Sequence, residues 1–206
     1  MYDTTTRRGF LAAGAAVSVA LAGCSSDTSI DPDAIDSGDR PALGDEDAPV
    51  TLTVFEDFAC PSCRQFKTQM TPAIVEQYVD PGDIRYLHAD FPIPVDDTWS
   101  YAVAGAARAV FEEAGNDAFW DFASAIYDHQ NNYTYDAIET VADEVAGLGA
   151  VARDAAENDS YREYLDDERS LGERWGVRGT PSVFINDEQA DLNELGSEIE
   201  EGLQSA

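Results

Sequence analysis

The stretch Phe55-Glu56-Asp57-Phe58-Ala59-Cys60-Pro61-Ser62-Cys63-Arg64-Gln65-Phe66 sets two cysteines three residues apart behind an apolar run. That run, Val50 to Phe58, is rich in β-branched and aromatic residues and reads as a buried strand. Beyond the cysteines, Phe66, Met70, Ile74, Val75 and Tyr78 recur at helical spacing, so the sequence predicts strand, turn and helix in succession. Pro61 suits the first helical position, because the N–H it lacks would have no partner there. Cys60 then falls at the N-cap and Cys63 one turn in, on the same face. That separation is compatible with disulfide geometry.

Three uses compete for such a pair: a metal clip, a structural staple and a redox couple. A tetrahedral zinc site takes four ligands. The remaining cysteine is the distant Cys24, and His88 and His129 stand apart without ligand spacing, so no metal site is expected. Both histidines read as surface or packing residues. A structural disulfide stabilises most when it closes a long loop, and a Cys60–Cys63 bridge would close almost nothing. Redox chemistry remains.

The position itself activates sulfur. Unpaired N–H groups and the helix dipole favour a thiolate at a helix start, and in such motifs the pKa can fall from about 8.5 to roughly 3.5–7.5. Cys60 is therefore the expected attacking and mixed-disulfide residue, with Cys63 resolving the mixed disulfide. Pro61 and Ser62 are the tuning pair between them. Among nearby charges, Glu56 and Asp57 are expected to oppose the thiolate, while Arg64 and Lys67 favour it. The redox-active disulfide is the only expected cofactor.

The 206 residues carry 41 Asp and Glu against 12 Lys and Arg, a net charge of −29, and the sole lysine is Lys67. Hydrophobic content of 44% and aromatic content of 10% still support a packed core, against a disordered reading. An acidic surface repels nucleic acid, which is excluded as a partner. The acids are spread through every segment, and we read them as adaptation to high salt, where the Debye length shrinks to about 3 Å at 1 M.

Arg7 and Arg8, followed by Phe10, Leu11 and an uncharged Ala-rich stretch, resemble a Tat-type export signal, too short for a membrane span. Leu21-Ala22-Gly23-Cys24 resembles a lipobox, which makes Cys24 the expected lipidation site and the outer face of the cytoplasmic membrane the expected location. The expected organisation is signal and lipobox over 1–24, a disordered Ser/Asp/Pro-rich tether over 25–44, and one domain over 45–206. Asn132-Tyr133-Thr134 and Asn158-Asp159-Ser160 match glycosylation sequons, a pattern common by chance.

Further along, Ile84 to His88 reads as a second strand, the segment from Thr98 to about Trp175 as helical, and Arg178 to Asp187 as a turn and strand before a closing helix. Trp99, Phe119, Trp120, Phe122 and Tyr127 fall at helical spacing and read as core before they read as a peptide groove. The motifs FEDFACPSC, ADFPIP, AFWDFASAIYDHQ and WGVRGTPSVFIN resemble, in order and spacing, the DsbA-like thioredoxin-fold thiol–disulfide oxidoreductases, over most of 49–206. The resemblance implies an α/β thioredoxin fold, with a helical insertion over about 98–174 between the second core strand and the strand after a cis-proline. It implies that Pro181 is that proline, preceded by Thr180, and that the Thr180 backbone pairs with an extended substrate beside Cys60. Two positions depart from the family. Many relatives carry a buried Glu six residues before the first cysteine, where this chain has Val54; Glu56 or Asp57 would have to substitute from other places on the strand. Strongly oxidising members carry Pro-His between the cysteines, where this chain has Pro61-Ser62.

The function these residues imply is thiol–disulfide exchange on exported protein thiols and disulfides, with a membrane redox partner and attachment through a lipid anchor. Two other classes compete: a redox-inactive binding or chaperone module on the same fold, and an extracytoplasmic metallochaperone.

Overall fold

The computed structural model describes residues 40–93 and 95–206. The export signal, Cys24 and most of the tether therefore lie outside the described residues.

Five strands form one sheet: β1 (Ala42–Leu43), β2 (Val50–Glu56), β3 (Ile84–Asp90), β4 (Ser182–Ile185) and β5 (Glu188–Gln189). Their order across the sheet is β1-β3-β2-β4-β5. β2 and β3 run parallel, with Val54 opposite His88 and Glu56 opposite Asp90. β4 lies antiparallel to β2, with Val54 opposite Val183. The central strands are buried almost end to end because helices cover both faces, which is why β2 reads as a continuous apolar run with little alternation. The short edge strands β1 and β5 pair antiparallel to β3 and β4. Neither is legible in the sequence, since two residues carry no period.

The parallel pair β2 and β3 is joined by a helical stretch, α1, over 61–79. It is α-helical at Pro61–Gln65 and Thr71–Ile74 and widens into π turns at Phe66–Met70 and Val75–Val79. Pro72 explains the first widening: it has no N–H to donate to the preceding turn, and the chain there shifts to longer-range bonding. Five helices follow between β3 and β4: α2 (Trp99–Ala114), α3 (Asn116–Ile126), α4 (Tyr135–Ala146), α5 (Gly149–Glu157) and α6 (Arg162–Arg174). A 3₁₀ turn, Tyr127–Asn132, links α3 to α4. α4 is closed at both ends by its own sequence. Thr134 Oγ1 accepts from the Ala137 N–H at 3.0 Å, and Gly147 takes the left-handed conformation at φ 68°. The last helix, α7 (Leu195–Ser205), lies beyond β5.

One face of the sheet carries Val50, Leu52 and Val54 against Cys63, Phe66, Ile74 and Ile199, and continues into the insertion through Phe119, Phe122 and Tyr127. The opposite face packs Phe55, Leu87, Phe91 and Phe184 against Leu171 and Trp175. The helix approaches closely there: a Cβ at Gly172 would stand 2.5 Å from the Phe91 ring. The aromatics expected as core are core. Phe119, Trp120, Phe122 and Tyr127 are buried, with Trp99 packed partly buried beside them.

The domain boundary drawn at residue 45 falls inside the fold and must move. Arg40 donates from both terminal nitrogens, Nη1 and Nη2, to the Glu168 carboxylate on α6, a pair more than nine-tenths buried. The next residues form β1, where Asn116 Oδ1 accepts from the Ala42 N–H at 2.8 Å and Trp120 Nε1 donates to the Ala42 carbonyl at 3.0 Å. The segment's polar composition predicts a tether, and composition does not reveal a distant partner such as Glu168.

Candidate active site

β2 ends at Glu56, and the chain turns through Asp57, Phe58 and Ala59 before α1 begins. The turn is fixed from within. Asp57 Oδ1 accepts from the Ala59 N–H at 2.7 Å, Asp57 Oδ2 accepts from the Ile93 N–H at 2.8 Å, and the Cys60 N–H donates to the Asp57 carbonyl at 3.0 Å. Cys60 has extended backbone angles, φ −79° and ψ 120°, and stands at the N-cap, with Pro61 opening the helix. The Cys63 and Arg64 N–H groups close the first turn on the Cys60 carbonyl at 3.1 and 3.2 Å. Both cysteines are free thiols in this structure.

Cys60 Sγ lies 3.3 Å from the Thr180 carbonyl oxygen, and the Thr180–Pro181 peptide is cis. The loop before β4 thus brings Thr180 and Pro181 against the start of α1, across the β2–β4 pairing. Cys63 is fully buried, and the Asp57 N–H points at its sulfur at 3.5 Å.

The two thiols are driven apart in acidity. Cys60 is lowered to about 5, chiefly by a hydrogen bond from the Cys63 thiol; burial opposes this, and Thr180 and the N–H groups of Cys63 and Ser62 add to it. Cys63 is pushed far up by burial, by its hydrogen bond to Cys60 and by the charge of Glu56. A nucleophile ionised at neutral pH therefore sits beside a partner that keeps its proton.

The charges around the pair fall differently from the sequence expectation. Glu56 is buried on the α1 side of the sheet, on the same face as Val54 but one pleat further along, so it lies beside, and not at, the position where the family resemblance implies a Glu. Its charge bears on Cys63, the buried partner. Asp57 is buried, and burial raises its carboxyl to about 6 against the pull of the Ile93 and Ala59 N–H groups. Arg64 is part-exposed and reaches Asp128 loosely at 3.9 Å, a pair worth little in solvent. Lys67 does not face the thiolate; it is buried with Nζ 4.0 Å from the Trp120 ring centroid, and burial lowers it to about 8.

Sequence reasoning missed three residues. His88 is buried between two carboxylates, with Nδ1 3.2 Å from Glu56 Oε2 and Nε2 3.1 Å from Asp90 Oδ1. Burial alone would lower it, but Asp90 and then Glu56 outweigh burial and raise it to about 9. The packing role expected of it is therefore incomplete. The signal was available: Glu56 and Asp90 end adjacent strands, and His88 shares their face. Gln130 and Tyr133, on and after the 3₁₀ turn, bond the Phe58–Cys60 turn from outside, and nothing in their local sequence marks them. His129 is exposed. Among the described residues no group of His, Cys, Asp and Glu could hold a metal ion.

A family model described as Thioredoxin matches residues 36–204. The disulfide bond formation protein D of Bacillus subtilis (strain 168) is 28% identical over 178 residues, spanning 80% of this chain and 78% of that protein. Among solved structures, oxidised BdbD from Bacillus subtilis aligns with a TM-score of 0.74 at 24% identity, covering 81% of this chain and 94% of that one. Chlamydia trachomatis DsbA aligns with a TM-score of 0.68 at 19% identity, covering 79% and 90%. At such identities the solved structures establish a common fold.

Proposed function

This chain belongs to the thioredoxin family, in its DsbA-like branch, and from that premise we propose that it exchanges disulfides with exported proteins through Cys60 and Cys63. The observation that carries the reading is the placement of Cys60 Sγ at a helix start, 3.3 Å from the Thr180 carbonyl oxygen, with a buried thiol one turn away.

In the oxidising direction a substrate thiolate attacks Cys60 of the Cys60–Cys63 disulfide. The S–S bond breaks, Cys63 leaves with the electron pair and takes a proton, and a mixed disulfide forms at Cys60. A second substrate thiolate then attacks the substrate sulfur and expels Cys60 as a thiolate. The substrate has lost two electrons and the cysteine pair has gained them. The acidity of Cys60 favours this direction, because a low-pKa thiol leaves more readily. A membrane redox partner would then take the two electrons and restore the disulfide. Pro181 offers no backbone donor at the sulfur, so Thr180 is the residue whose backbone would pair with an extended substrate. Pro61 and Ser62 hold the intervening turn, and Glu56, Asp57 and Arg64 set the surrounding charge.

The Tat-type signal, the lipid on Cys24 and the outer membrane face complete the reading from the sequence alone. Within the described residues no helix is long and apolar enough to cross a membrane. Two experiments test the proposal. Insulin reduction by wild type but not Cys60→Ser is expected; equal activity in both would remove the enzyme and leave a binding module. Cys63→Ser, expressed in the native host, is expected to trap exported proteins as mixed disulfides on Cys60, and recovery of no exported thiol protein would overturn the substrate assignment.

A further inference from the structure

The turn that carries Cys60 is held from outside by the insertion. Gln130 Nε2, on the 3₁₀ turn after α3, donates to the Phe58 carbonyl at 2.9 Å and to the Cys60 carbonyl at 2.8 Å. Tyr133 Oη donates to the same Phe58 carbonyl at 2.9 Å. With the Cys63 and Arg64 N–H groups, the Cys60 carbonyl thus receives three donors, one of them supplied from seventy residues away.

We propose that Gln130 is a positioning residue for the exchange reaction: its amide, presented by the helical insertion, clamps the Phe58 and Cys60 carbonyls and keeps the attacking sulfur at the helix start in ionisable form. The inference rests on the exchange activity proposed above. Two physical routes support it. The first is geometric. The donors that stabilise a Cys60 thiolate, the Cys63 thiol and the N–H groups of Ser62 and Cys63, act only while the turn stays in register with α1. Asp57 pins the inner side of that turn and Gln130 pins the outer side. The second route is electrostatic. The carbonyl oxygen and the sulfur of Cys60 belong to one residue, so their negative charges stand close together. A donor on that oxygen sets a partial positive charge beside it and offsets its repulsion of a thiolate on the same residue. The insertion is therefore part of the reactive machinery as well as a cover over it, since its docking on the sheet decides whether Gln130 reaches the turn.

The test measures the pH profile of Cys60 alkylation by iodoacetamide in reduced protein, together with the thermal midpoint. Gln130→Ala is expected to raise the Cys60 pKa by about half to one unit, read as roughly three- to tenfold slower alkylation at a pH below it. Gln130→Glu keeps the length but turns donors into acceptors and should raise it further. Tyr133→Phe loses only the contact to Phe58, outside the sulfur's own residue, and should move it less than Gln130→Ala. If Gln130→Ala does not fold, Gln130→Met keeps the bulk without the donors and carries the same expectation. A Cys60 profile unchanged in both Gln130→Glu and Gln130→Ala, or a fall in thermal midpoint with no change in profile, overturns the proposal. A wild-type profile centred near pH 8.5 would instead sink the exchange reading itself, which keeps the two failures distinct.

Discussion

Behind the buried thiol, His88 Nδ1 lies 3.2 Å from Glu56 Oε2, and neither side chain exposes more than 2% of its surface. Asp90 holds the other imidazole nitrogen at 3.1 Å. Protonated His88 can donate to both carboxylates at once, and two facing carboxylates without it would repel in a low-dielectric interior.

This arrangement makes stability depend on alkaline pH with a definite sign. An unfolded histidine titrates near 6.5, and folded His88 near 9. The stabilisation is complete below 6.5 and is lost as pH rises through about 9. A gap of that size corresponds to roughly 3 kcal/mol. Other groups titrate nearby: Lys67, lowered to about 8, gives the opposite slope, and both thiols contribute in reduced protein. The measurement is therefore the difference between wild type and His88→Gln, both oxidised, in urea unfolding at pH 6 and pH 10. The variant should lose much more at pH 6 than at pH 10. An equal loss at both would mean that His88 is neutral in the fold.

Arg40 should anchor the start of the ordered domain. Its ion pair with Glu168 is buried, and removing one partner of a buried pair leaves an uncompensated charge. Arg40→Ala is expected to cost about 3 kcal/mol, while the apolar double variant Arg40→Met with Glu168→Leu recovers most of it. Urea unfolding of both variants decides the matter. A loss below about 1 kcal/mol in Arg40→Ala would return this residue to the category of surface pairs.

Much of the arrangement was legible in the chain. The apolar run of β2, Pro61 and the spacing of Cys60 and Cys63 are local signals, and each follows from short-range sterics or helix capping. The closeness of Thr180 and Pro181 to Cys60 came from family resemblance, because 120 residues separate the partners. Gln130, Tyr133 and the Arg40–Glu168 pair were illegible for a related reason. A single polar side chain that bonds a distant backbone carbonyl or carboxylate leaves no periodicity. Lys67 departs from its expected role because sequence shows its charge but not its burial beside Trp120.

The Pro61-Ser62 dipeptide should make this disulfide less oxidising than that of Pro-His relatives. A histidine at position 62 would add a positive charge beside the helix start and favour the Cys60 thiolate. The wild-type potential is expected below about −120 mV, and Ser62→His should raise it by about 30 mV for each tenfold gain in stability of the reduced form. Equilibration with glutathione reads both values. A wild-type potential already at −120 mV, or none of the expected rise in the variant, would refute the role given to Ser62.

Glu56 gives the last test, because it stands where charge and proton transfer predict opposite outcomes. It shares a sheet face with Val54, the position at which relatives carry a buried Glu, and its charge helps hold the Cys63 proton in place. Resolution of a mixed disulfide needs Cys63 as a thiolate. If Glu56 acts through charge, Glu56→Gln removes a nearby negative group, eases ionisation of Cys63 and shortens the life of the mixed disulfide. If Glu56 acts as a proton acceptor, the same change lengthens that life. The geometry favours charge: Oε2 is taken up by His88, and Oε1, though buried without a hydrogen-bond partner, makes no bond to the Cys63 sulfur, where the Asp57 backbone N–H stands instead. Release of a chromogenic thiol from Cys60 in Glu56→Gln should therefore run faster than in wild type, by up to about tenfold for one unit of acidity at Cys63. Slower release would overturn the charge assignment and make Glu56 the group that receives the Cys63 proton.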